Sequence, residues 1–183
     1  MRDGVRLLRA AAERLDAGDL GLPSPTGFAG GAAWMGRAIA GVRGGAVPEA
    51  AVPEAHVPKT GRAWTRHGIL KYGLCAAAAR PRLVAAALLR AWWPVVPALA
   101  AFYAVEAQMV FLFPAALDGH PRPFARSREL VRRSGGTLRV VGDVLPIAGF
   151  MLVGGLLGRG VVRAWTTGCL AVVLWYERLR GAA

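Results

Sequence analysis

Lysine is almost missing from this chain. Lys59 and Lys71 are the two lysines, and the rest of the 23 cationic side chains are arginine. With abundant Ala, Gly and Pro, that bias fits a GC-rich, bacterial genome. Cysteine is nearly as scarce. Cys75 and Cys169 stand far apart, which excludes a disulfide framework and a CxxC metal pair. The three histidines, His56, His67 and His120, all fall outside the longest apolar runs. That placement speaks against histidine ligation of haem or chlorophyll within a membrane span. No P-loop, GxGxxG, GxSxG or zinc signature occurs, so no cofactor and no metal is expected. The opening MRDGVRLLRAAAERLDAGD lacks an uninterrupted apolar core, and no cleavable signal peptide is expected.

Acids are also few. Eleven Asp and Glu face the 23 cations, for a net charge of +12 over 183 residues. Such an excess suits nucleic acid or an anionic membrane face. The hydrophobic fraction of 55% exceeds the roughly 45–50% usual for soluble domains. The positive charge flanks apolar runs, so a bilayer with anionic lipids is the expected partner and nucleic acid is not.

The chain divides into three parts. In 1–17, Val5, Leu8, Ala12 and Leu15 share one helical stripe among Arg2, Arg6, Arg9 and Arg14. This amphipathic helix could dock on a partner, lie on a membrane, or pack on its own domain. Residues 18–66 read as an extended linker or strap. Glycine and proline dominate it, and AVPEA occurs twice in the tract 46–58. Proline every fifth residue favours polyproline-like extension. Residues 67–183 read as an all-α membrane domain, a small polytopic bundle. Its membrane helices are expected at 91–117, 140–157 and 161–176. A fourth element at 68–90, re-entrant or spanning, is expected to be split by Arg80-Pro81-Arg82. About 20 apolar residues cross a bilayer, and 91–117 exceeds that. Trp92 and Trp93 would supply its interfacial belt, and Pro114 would mark its far end.

The loop 118–139 carries Arg122, Arg126, Arg128, Arg132, Arg133 and Arg139 against Asp118 and Glu129. Short basic loops stay cytoplasmic. The loop and the C-terminus are therefore expected in the cytoplasm, with the protein in a bacterial inner membrane. Phe124, Leu130 and Val131 could anchor a short surface helix begun after Pro123.

Few residues are placed to carry chemistry. Glu106 lies inside YAVEAQMVFLF (103–113). A bare carboxylate in hydrocarbon is costly, so it should be protonated, paired, or turned to a polar interior. Tyr103 could share its face, and Gln108 is a second intramembrane polar group. Asp143 follows Arg139 by four residues, the spacing of a local helix pair. Gly154 and Gly158 have the spacing of a close helix contact. Arg122, Arg126, Arg128, Arg132 and Arg133 could hold lipid phosphates or an acidic partner, or serve only as a topology signal.

The expected role is a non-catalytic accessory, scaffold or assembly subunit of a membrane complex, with other membrane subunits as partners. Two alternatives are an ion- or proton-conducting element using Glu106, and a lipid-modifying enzyme with Arg122, Arg126 and Arg132 on a phosphate.

Overall fold

The computed structural model describes residues 2–18, 21, 27–44, 61–155, 158 and 160–181. Among these every regular element is a helix: α1 Arg2–Asp16, α2 Gly27–Val42, α3 Gly61–Leu89, α4 Val95–Gln108, α5 Leu112–Leu117, α6 Pro123–Arg133, α7 Thr137–Val153 and α8 Val161–Gly181. The proline-rich tract 46–58 lies outside the described residues.

Helix α1 packs on its own chain. It buries Leu7 and Ala11 completely against α7 and α8, and turns Arg6, Arg9 and Arg14 outward. Its first turn meets α7, where Asp143 Oδ1 accepts a hydrogen bond from the Gly4 N–H at 3.2 Å. A Cβ on Gly4 would lie 2.3 Å from the Asp143 carbonyl oxygen, so only glycine permits this approach. Its last residue, Asp16, meets Arg163 at the start of α8.

Helix α2 occupies part of the stretch expected to be extended. Its glycines cost about 1 kcal/mol each relative to alanine in a helix. Burial of Trp34, Ala38 and Ile39 against neighbouring helices outweighs that cost, since packing supplies most helical stability. The Trp34 indole N–H also donates to the Gly21 carbonyl at 2.7 Å.

Helix α3 runs unbroken through Pro81, where a split was expected. Proline removes one helical donor but need not end a helix whose neighbours compensate. Arg82 donates from its guanidinium to the Ala78 carbonyl at 3.0 Å, beside the carbonyl Pro81 leaves without its partner. Helix α3 ends in a Schellman turn, with Ala91 N–H on Ala86 O and Arg90 N–H on Ala87 O. The left-handed residue of that turn is Arg90, at φ 47°. The equivalent positions after α5 and α6 are Gly119 and Gly135. A side chain in this conformation costs roughly 1–2 kcal/mol. Arg90→Gly is therefore expected to raise unfolding free energy by about 1 kcal/mol, read from thermal or denaturant melts.

The apolar run 91–117 forms α4 and α5 with a break at 109–111. Pro114 explains the break: its ring clashes with the carbonyl four residues back, Val110. Ser127 of α6 covers the gap. Its hydroxyl donates to the Gln108 carbonyl at 2.8 Å and accepts from the Phe111 N–H at 3.3 Å.

Two helical stretches are long and apolar enough to cross a membrane, Trp64–Leu89 and Val95–Leu117. A third results if α6 and α7, bent by 98°, count as one broken span. The stretch 161–176 was expected among the spans, but α8 does not qualify. Its Arg163, Glu177 and Arg178 leave too little uncharged length. The loop residues Leu130 and Val131 are also placed differently from expectation. They are buried in the protein core and do not anchor a surface helix.

Candidate functional site

The site begins with the pairing of α3 and α4, the most extensive helix contact in the fold. Lys71 is the single charged residue in GILKYGLC (68–75), and it faces α4. Its Nζ lies 2.7 Å from Glu106 Oε1, with side chains only 7% and 15% exposed. Cys75, one turn further along α3, directs its thiol to Glu106 Oε2 at 3.7 Å. The ammonium also lies 5.3 Å from the centre of the Tyr72 ring and 5.8 Å from that of Phe113, distances at which a ring face attracts a cation.

The pair forms part of the wall of a partly open cavity of about 380 Å³ lined by α2, α3, α4, α5, α7 and α8. Tyr72, Tyr103 and Cys169 add polar atoms, and the remaining wall is largely apolar, including Met35, Met151 and Trp165. The arrangement neutralises Glu106 with a fixed partner and excludes most water from both. Desolvating two charges costs several kcal/mol, which their mutual attraction offsets only with close geometry. The pair ties α3 to α4.

The other expected site residues are dispersed. Gln108 points away from the cavity and donates to Thr137 Oγ1 at 2.7 Å, tying α4 to the start of α7. Asp143 binds the first turn of α1. Arg139 reaches Asp3 of α1 at 3.3 Å. Gly154 sits in the α7–α8 contact, where an added Cβ would lie 3.2 Å from that of Ala164. Gly158 has φ 82°, and among the described residues nothing lies within 4 Å of an added Cβ. In the basic segment, Arg126 and Arg133 both engage Glu129, while Arg122, Arg128 and Arg132 are exposed. These five arginines do not converge with Glu106.

A second charged cluster joins distant parts of the chain. Arg43, after α2, contacts Asp118 at 2.8 Å and Glu177 at 2.6 Å. Asp118 also accepts from the Tyr176 hydroxyl at 2.8 Å and lies 3.4 Å from Arg180. The head of the basic loop and the end of α8 therefore share one end of the molecule. Burial alone would raise the Asp118 carboxyl. The Tyr176 hydroxyl and the Arg43 and Arg180 charges overcome that and hold it below the ordinary carboxylate range.

A depressed folded-state value stabilises the fold above the unfolded pKa of about 4, and the contribution disappears as pH falls through the folded value. Melting temperature should fall on acidification below about pH 4. Asp118→Asn should remove that component and cost about 1–3 kcal/mol at neutral pH, measured by melts across pH.

The sequence hid both clusters for the same reason: partners 31 to 134 positions apart leave no local spacing to read. One signal was present. In a chain that uses arginine almost everywhere, a lysine within an apolar run marks a place for a compact ammonium on a single carboxylate. No protein-family model, curated protein or solved structure matches this chain, so the reading of its function rests on its own residues.

Proposed function

We propose that this chain is a non-catalytic accessory or assembly subunit of a bacterial cytoplasmic-membrane complex. The α3–α4 hairpin and α5 form its membrane anchor within a polytopic bundle. The observation that carries this reading is the uncovered surface of α3. Only 11% of its most apolar window is buried, and Ile69, Leu70, Leu74, Leu83, Leu88 and Leu89 are all exposed. Lipid or a neighbouring helix is the natural cover for such a face.

The arginines of α3 are compatible with this placement. Arg82 and Arg80 lie roughly 10–14 Å from Leu89 at about 1.5 Å per residue. Arg82 folds back onto the Ala78 carbonyl, which satisfies one of its donors, and the exposed Trp92 and Trp93 beyond Arg90 supply an interfacial belt. The basic loop and the C-terminus, joined through Asp118 and Arg180, would lie together in the cytoplasm. Lys71 clamps the one acid that a proton relay would use, which favours a structural role over conduction.

Affinity purification from native membranes in mild detergent tests the proposal. The chain should bring down other membrane subunits in fixed ratio. Recovery of this chain alone, at every detergent strength, would overturn it.

A further inference from the structure

From the cavity beside Lys71 and Glu106, we infer that the protein binds a neutral single-chain amphiphile, an alkyl chain bearing a hydroxyl or carbonyl oxygen. The inference rests on the cavity and does not depend on the subunit role.

The volume of about 380 Å³ falls within the range of small-molecule sites, roughly 300–1,000 Å³. At about 30 Å³ for a group the size of water, it accommodates roughly a dozen heavy atoms. Its walls have the composition such sites require: an apolar surface with one localised polar patch. Met35 and Met151 are adaptable wall elements, able to fit an irregular chain.

The polar patch selects the head group. Lys71 and Glu106 neutralise each other at 2.7 Å. A carboxylate or an ammonium entering beside them would add an uncompensated charge to a low-dielectric space. A hydroxyl or carbonyl adds none. An ammonium has three N–H donors, and Glu106 Oε1 needs only one of them, so Lys71 can serve a further oxygen.

An entry route is also visible. Tyr72 and Trp165 line the cavity and are 37% and 48% exposed, so they belong to its rim. Tyr72 stands on α3 one turn from Ile69, which is 64% exposed and belongs to the face proposed to meet lipid. A chain could therefore pass from the bilayer between α3 and α8.

The test uses the full chain held in amphipol, which has no free alkyl detergent to fill the cavity. The probe is 12-bromododecan-1-ol, whose bromine quenches nearby tryptophan. Saturable quenching is expected. Trp165→Phe should abolish most of it, and Ala148→Phe, which fills the cavity, should weaken binding at least tenfold. Dodecan-1-ol should compete at least tenfold better than dodecanoate or dodecylamine. In Lys71→Met/Glu106→Gln, which removes both charges together, quenching should persist, and the preference for dodecan-1-ol over dodecanoate and dodecylamine should shrink. Circular dichroism and melting temperature identify any variant that has not folded. Quenching that rises linearly, or is unchanged in Trp165→Phe and in folded Ala148→Phe, would overturn the site. Equal competition by dodecanoate would overturn the neutral head group.

Discussion

Lys71→Met is expected to lower the unfolding free energy by about 3–5 kcal/mol, because it strands the Glu106 carboxylate without its partner in an apolar wall. For a chain of this size the melting temperature should drop by roughly 10 °C. Methionine keeps the length of the side chain, so lost packing contributes little. Replacing both partners, as Lys71→Met/Glu106→Gln, should recover most of the loss. A buried ion pair exchanged for neutral groups of similar shape is often neutral to stability. Lys71→Arg should fall between wild type and Lys71→Met, since it keeps the charge but spreads it over a planar fork in place of the compact ammonium seated 2.7 Å from Glu106 Oε1. Thermal melts of the four proteins in one detergent decide the matter. A double variant as unstable as the single would show that the pair contributes through something other than charge compensation.

Phe111→Ala should be comparably severe, at about 3–5 kcal/mol. Phe111 is fully buried and stands at the break between α4 and α5. Its ring meets Trp175 edge-on at 5.0 Å and Tyr176 at 6.4 Å. Removing it opens a cavity against Trp175 and Tyr176 of α8, and Tyr176 is the hydrogen-bond donor to Asp118. The variant should melt earlier and should also lose part of its acid sensitivity, because Asp118 would be held less firmly. Phe111→Leu should recover more than half of the stability.

How much of this was legible beforehand depends on the range of the interaction. The apolar 91–117 run, a short helix near Pro123 and a helical N-terminus follow from local periodicity and proline chemistry, and all are present. The buried stripe of α1, however, centres on Leu7 and Ala11, and Val5 of the expected stripe is exposed. Pro114 was read as an end, whereas it breaks the helix one turn earlier and lets it resume at Leu112. Helix α2 was missed because its glycines argue locally against helix, and only tertiary burial of Trp34 and Ile39 overrides them. The continuity of α3 was missed because Pro81 is a weaker breaker when the flanking turns are intact. The apolarity of 161–176 overstated its fitness to cross a membrane, since the helix carrying it includes Arg163, Glu177 and Arg178. Glu106 was legible as a residue in need of a partner. The partner itself, Lys71, lies on another helix and had no spacing to announce it.

Of all the properties discussed, the cover on the outer face of α3 matters most, because the anchor, the side assigned to the arginines and the entry route all depend on it. Alkaline carbonate washing of membranes from cells expressing the full chain measures it directly. The protein should remain entirely in the pellet and be released only by detergent. Release into the supernatant as a species that stays monodisperse in plain buffer would contradict a lipid environment for 64–89 and 95–117.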